Sequence, residues 1–146
     1  MARLIAAALA VLLIAGCYGG SSSPTPGDMT DVLGELTAHG LTMTDTVAGD
    51  PGCADASLFD NARRLAVTSA ADGRSYTLYL FRWRNVTDYN AAADAFDACV
   101  AAFAGQPGAA AVETVDVSPW RAYGPGWTTA MRDALQQALS AAGTGQ

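Results

Sequence analysis

The sequence contains no lysine. All of its basic character comes from eight arginines, set against fourteen aspartates and glutamates, for a formal charge of −6. A balance this acidic argues against nucleic-acid binding, which relies on neutralising phosphates with basic side chains. It argues equally against electrostatic docking on anionic lipid head groups. Histidine occurs once, at His39, and no GxSxG elbow, HExxH pair or Walker loop is present. Long apolar runs are missing too. Leu4 to Ala15 is an unbroken run of twelve apolar residues, short of the ~20 that span a bilayer and suited to the h-region of a signal peptide. Cysteine appears three times, at Cys17, Cys53 and Cys99.

What is there begins with the N-terminus. Met1-Ala2-Arg3 is a short n-region with one positive charge, and the apolar run closes on Leu13-Ile14-Ala15-Gly16-Cys17. Two small residues before a cysteine, at the end of an h-region, resemble the lipobox of bacterial lipoproteins. The resemblance implies cleavage between Gly16 and Cys17, so that residues 1–16 are a signal peptide. It also implies that fatty acyl chains such as palmitate reach the protein through a thioether-linked diacylglycerol on Cys17. The expected location is the extracytoplasmic face of a cell membrane, with the lipid as the membrane partner. Two or more chains give stable anchoring where one does not. Loss of Arg3 would leave seven arginines against fourteen acids, a formal charge of −7.

Residues 18–27 read YGGSSSPTPG. Such a composition cannot bury enough apolar surface to fold and is expected to act as a flexible tether, with a reach of about 35 Å. The remaining chain, residues 28–146, is expected to form one small domain, long enough for its own core. Once Cys17 is lipidated, export leaves Cys53 and Cys99 in a disulfide-permissive compartment with one possible pairing. Free thiols or half of a metal site are the alternatives, and no suitable histidine or further cysteine stands nearby. A metal ligand set and a cofactor are not expected.

Hydrophobic periodicity supplies the elements. Asp28 and Asp31 form an imperfect capping box ahead of Met29, Val32, Leu33 and Leu36, a helix expected to run to His39 and stop at Gly40. Leu41, Met43 and Val47 alternate with threonines, interrupted by Asp45. A second strand is expected over Arg64 to Ala70 and a hairpin turn at Asp72-Gly73. Ser75 to Trp83 is apolar on both faces, as a central strand would be. Thr87 is expected to cap a helix whose stripe is Tyr89, Ala92, Phe96, Cys99, Val100 and Phe103. Val112, Val115 and Val117 mark another strand, and Thr128 caps a last helix bearing Met131, Leu135, Ala138 and Leu139. The pattern predicts an α+β domain of two layers, with about four mainly antiparallel strands and two to three helices largely on one face.

Several residues have the chemistry for a site. Trp120, Arg121, Tyr123 and Trp127 crowd a Gly/Pro-rich stretch expected to be a loop. They could stack sugars or anchor a protein partner, or the indoles could plug the open end of the core. Arg82 and Arg84 bracket Trp83 and could meet an anion or simply be solvated. Asp50, Asp55 and Asp60 share a loop, but their five-residue spacing departs from an EF-hand. Asp94 and Asp97 lie three apart on an exposed helix face, and His39 lies in a last helical turn. These features point to a membrane-anchored lipoprotein with a non-catalytic binding or assembly domain for an envelope protein or small ligand. The alternatives are an envelope-acting hydrolase that uses carboxylates, and a small-ligand or metal-binding lipoprotein.

Overall fold

Strand β3, Ser75–Arg82, stands in the middle of a five-stranded antiparallel sheet. The order is β1-β2-β3-β5-β4, with β1 at Leu41–Ala48, β2 at Ala62–Ser69, β4 at Val112–Val117 and β5 at Trp120–Pro125. The computed structural model describes residues 28–144. The lipobox, the signal peptide and the tether therefore lie outside the described residues.

Both faces of β3 are buried because both carry apolar side chains. Tyr76, Leu78 and Leu80 face a core shared with Val32 and Leu36 of helix α1, Met29–Ala38, and with Met131, Leu135 and Leu139 of helix α4, Thr129–Thr144. Tyr79 and Phe81 face a second core, closed by Phe96 and Cys99 of helix α3, Ala93–Ala104, and by Leu58 of a 3-10 turn at Ala56–Asn61. The α+β class holds, with two corrections. The sheet has five strands rather than four, and its helices cover both faces rather than largely one. The uncounted strand is β5: the expected aromatic loop is extended backbone paired on both sides, Tyr123 with Tyr79 on β3 and Thr114 on β4.

Local signals explain most boundaries. The Asp28 carboxylate accepts from the backbone N–H groups of Thr30 (2.7 Å) and Asp31 (3.1 Å), and the Asp31 carboxylate accepts from the N–H of Asp28, which completes the capping box. Gly40 takes the left-handed conformation that ends α1 (φ 80°). The interruption at Asp45 is a β-bulge: the β1–β2 register shifts between Met43 and Asp45, and the Thr44 hydroxyl donates to the Ala66 carbonyl at 3.2 Å. The middle helical segment differs from expectation. Its N-cap is Asn85, whose side chain accepts from the N–H of Asp88 at 2.9 Å, rather than Thr87. It also divides at Ala92 into α2, Val86–Ala91, and α3.

Two ties hold the layers together. Cys53 and Cys99 form a disulfide, with their Cα atoms 5.5 Å apart, fastening α3 to the loop between β1 and β2. The Trp127 indole N–H donates to the Thr77 carbonyl at 3.0 Å, continuing the β3–β5 ladder by one bond beyond the end of β5. That contact requires glycine at position 124, where an added Cβ would overlap both the Thr77 carbonyl and the Trp127 ring.

Gly124→Ala should therefore destabilise the fold by about 1–3 kcal/mol through overpacking. A urea unfolding midpoint equal to the parent's would contradict this. Reduction of the disulfide reopens a loop 46 residues in span and should cost roughly 4 kcal/mol in the chain-entropy account, read as the difference between oxidised and reduced unfolding curves.

Candidate binding cleft

The aromatic cluster expected as a surface loop is built into the two cores. Trp120 and Tyr123 are 0% exposed, and Trp127 is buried beside Met131. They part by strand alternation: Trp120 and Ala122 face the α1/α4 side, and Arg121 and Tyr123 the α3 side. Tyr123 stacks on Tyr79 at 4.9 Å between centroids and meets Phe103 and Phe96 edge-on. Its hydroxyl donates to the Pro51 carbonyl and sits 3.6 Å from the Cys99 sulfur. Burial pushes the Tyr123 phenol well above its ordinary pKa, helped by neighbouring Tyr79 and Asp50. The Tyr79 phenol is raised for the same leading reason.

Arg121 is 7% exposed. Its guanidinium lies over the Tyr89 ring at 4.2 Å, with Phe96 at 5.4 Å and Trp83 at 5.8 Å. Asp116 on the adjacent strand supplies the counter-charge at 3.2 Å. The geometry is that of an ion contact rather than an aligned hydrogen bond, because the Arg121 Nε has no hydrogen-bond partner. An arginine held against three rings and beside a carboxylate is engaged electrostatically within its own chain.

Arg82 and Arg84 lead elsewhere. They line an open cleft of about 840 Å³ together with Arg63, Trp83, Phe59, Asp60 and Met29. The small residues Ala48, Gly49 and Ala62 also line it. The cleft exists because α1, with ten residues, is only about 15 Å long. The eight-residue strands run about 26 Å, so the helix leaves one end of the sheet uncovered. Strand parity places Arg63 and Arg82 on one face. Arg63 pairs with Leu80, so Arg82, two residues on, is its diagonal neighbour at about 7–8 Å. Arg82 also lies over the Trp120 ring at 5.6 Å, which fixes its guanidinium against the core edge. Arg84 is 91% exposed at the rim, and Asp88 is 3.6 Å away.

The remaining candidates are dispersed. Asp50 pairs with Arg64 at 2.9 Å and accepts from the Gly52 N–H. Asp55 caps the 3-10 turn through the Ser57 N–H and hydroxyl, bonds that lower its pKa. Asp60 alone of the three lines the cleft. Among the described residues, no three His, Cys, Asp or Glu side chains come together as a metal site. His39 lies 3.8 Å from Glu35 at the end of α1, and Asp94 and Asp97 stay exposed on α3.

Sequence reasoning missed Arg63, Phe59 and Asp60 as partners of Arg82 and Arg84. The faint signal was parity: Arg63 falls in step with Leu65 and Val67, as Arg82 does with Leu78 and Leu80. Only the β2–β3 register makes them neighbours. Compared with protein families, curated proteins and solved structures, the chain matches none of them significantly. Among the described residues, no helix is long and apolar enough to cross a membrane.

Because Trp120 and Tyr123 belong to the cores, truncating either to alanine should cost about 3–5 kcal/mol. Tyr123→Phe, which leaves the Pro51 carbonyl without its donor, should cost about 1–3 kcal/mol. Chemical unfolding of the three variants checks this, and near-parental stability in the alanine variants would place these rings outside the core.

Proposed function

We propose that this chain is a lipid-anchored extracytoplasmic binding protein, held to a cell membrane through Cys17, whose folded domain takes its ligand or partner in the Arg63/Arg82/Arg84 cleft. One observation carries the binding half of this reading. The chain has few arginines and many carboxylates, yet three arginines line one open cleft beside an exposed phenylalanine. The aromatic residues expected to form an alternative surface are spent on the cores.

The anchoring half rests on the lipobox. Met29, the first residue of α1, lines the cleft, so the domain would join its anchor at the cleft end. Ten residues between Cys17 and Asp28 reach about 35 Å at most, which keeps the cleft close to the membrane face. A carboxylate-based hydrolase is the weaker reading. Such chemistry needs two acids facing one site, and Asp60 is the one carboxylate among the lining residues.

In a bacterial host fed radiolabelled palmitate, the parent chain should take up label and sediment with membranes. Cys17→Ser should lose both. Label retained on the serine variant would remove the lipoprotein assignment.

A further inference from the structure

We infer that the cleft at the end of β1, β2 and β3 binds an anionic sugar, a hydroxylated small molecule carrying a carboxylate or phosphate. The inference rests on the reading of that cleft as the binding site and specifies its ligand.

Charge is the first reason. Three arginines line the cleft against one aspartate, in a chain whose formal charge is −6. Other arginines are committed: Arg64, Arg121 and Arg132 each have a carboxylate within 3.3 Å. Arg63 has no carboxylate at ion-pair distance among the described residues, and Arg84 meets Asp88 only at 3.6 Å while almost wholly exposed. Arg63 and Arg84 therefore bring to the cleft positive charge that no close carboxylate takes up. Guanidinium groups present planar forks that match a carboxylate or phosphate bidentately. Arg63 and Arg82 are half-buried diagonal neighbours on one face, so an oxyanion held by Arg63 also lies beside the Arg82 charge.

The remaining lining residues describe the rest of the ligand. Phe59 is 40% exposed at the wall, a platform on which the apolar face of a sugar ring can lie. Asp60 and Asn61 beside it are acceptors and donors for hydroxyls. A purely inorganic anion would leave this wall unused. The volume, about 840 Å³, falls in the ~300–1,000 Å³ range of small-ligand sites. A flat anionic bilayer surface fits poorly, because the acidic remainder of the domain would be repelled by it.

The test is a two-dimensional ¹H–¹⁵N NMR titration of the purified mature chain in neutral-detergent micelles, disulfide intact. The probes are glucuronate, glucose 1-phosphate, glucose and inorganic phosphate. Glucuronate and glucose 1-phosphate should shift the amides of Asp60, Asn61, Arg63 and Trp83 saturably, and glucose and inorganic phosphate should bind at least tenfold more weakly. Arg63→Gln should raise the Kd for the acidic sugars about tenfold or more. Arg84→Gln, at a rim position too exposed to affect folding, should raise it severalfold, and Arg74→Gln on the β2–β3 turn should leave it unchanged. Glucose binding as tightly as glucuronate would overturn the anionic assignment and leave the cleft a binding site. Inorganic phosphate binding as tightly as glucose 1-phosphate would remove the sugar. Cleft amides that respond to none of the four would sink the inference and the cleft reading together.

Discussion

Strand β3 has to be covered twice. Its alternating side chains, Tyr76, Leu78 and Leu80 on one side and Tyr79 and Phe81 on the other, are all apolar or aromatic. Neither face can be left to water without exposing several large side chains, at roughly 1.5–3 kcal/mol each. The three-layer arrangement follows from that demand. On one side two helices, α1 and α4, bring leucine, valine and methionine and make a broad aliphatic core. On the other, α3 meets the sheet with aromatic rings, and its layer is completed by Tyr89 of α2, a short turn and a loop.

The two coverings are unequal, and the disulfide sits on the one with the smaller buried cluster. The α3 layer is built round Tyr79, Phe81, Phe96 and Tyr123. Such stacking is directional, so it depends on α3 being held in place. Cys99 on α3 is bonded to Cys53 in the loop, and Tyr123 reaches the same loop through the Pro51 carbonyl. The staple and the phenol thus act on one stretch of backbone, from opposite sides of the helix–sheet contact. Arg121 belongs to the same layer. Truncating it would remove the cation that its three surrounding rings enclose and leave Asp116 without its nearest counter-charge.

Much of this was legible in the sequence wherever the signal was local. The Asp28 cap, the Gly40 stop, the Asp72-Gly73 turn and the two-sided apolarity of β3 all depend on neighbours within a few residues. The Cys53–Cys99 bond was legible by elimination. Strand β5 was not, because Pro119 before it and Gly124-Pro125-Gly126 at its end carry the chemistry of a loop. Its six residues extend because strands on both sides supply partners, a tertiary cause that no local window contains. The division at Ala92 was hidden because both helices share one apolar stripe. The cleft was half legible. Arg82 and Arg84 stood out beside Trp83, whereas Arg63 joins them only through the register of β2 on β3.

The bulge in β1 has a consequence for crowding. β1 is an outer strand with one side unpaired, and most of its residues are exposed. A flat edge of this kind is a template on which a second chain can add a strand. Here the register shift at Thr44 breaks the regular spacing of free backbone groups, and Asp45 puts a charge immediately after it. For copies confined to a plane at high local density, as an anchor would confine them, that irregular edge favours neighbours that slide past one another over neighbours that zip into a shared sheet.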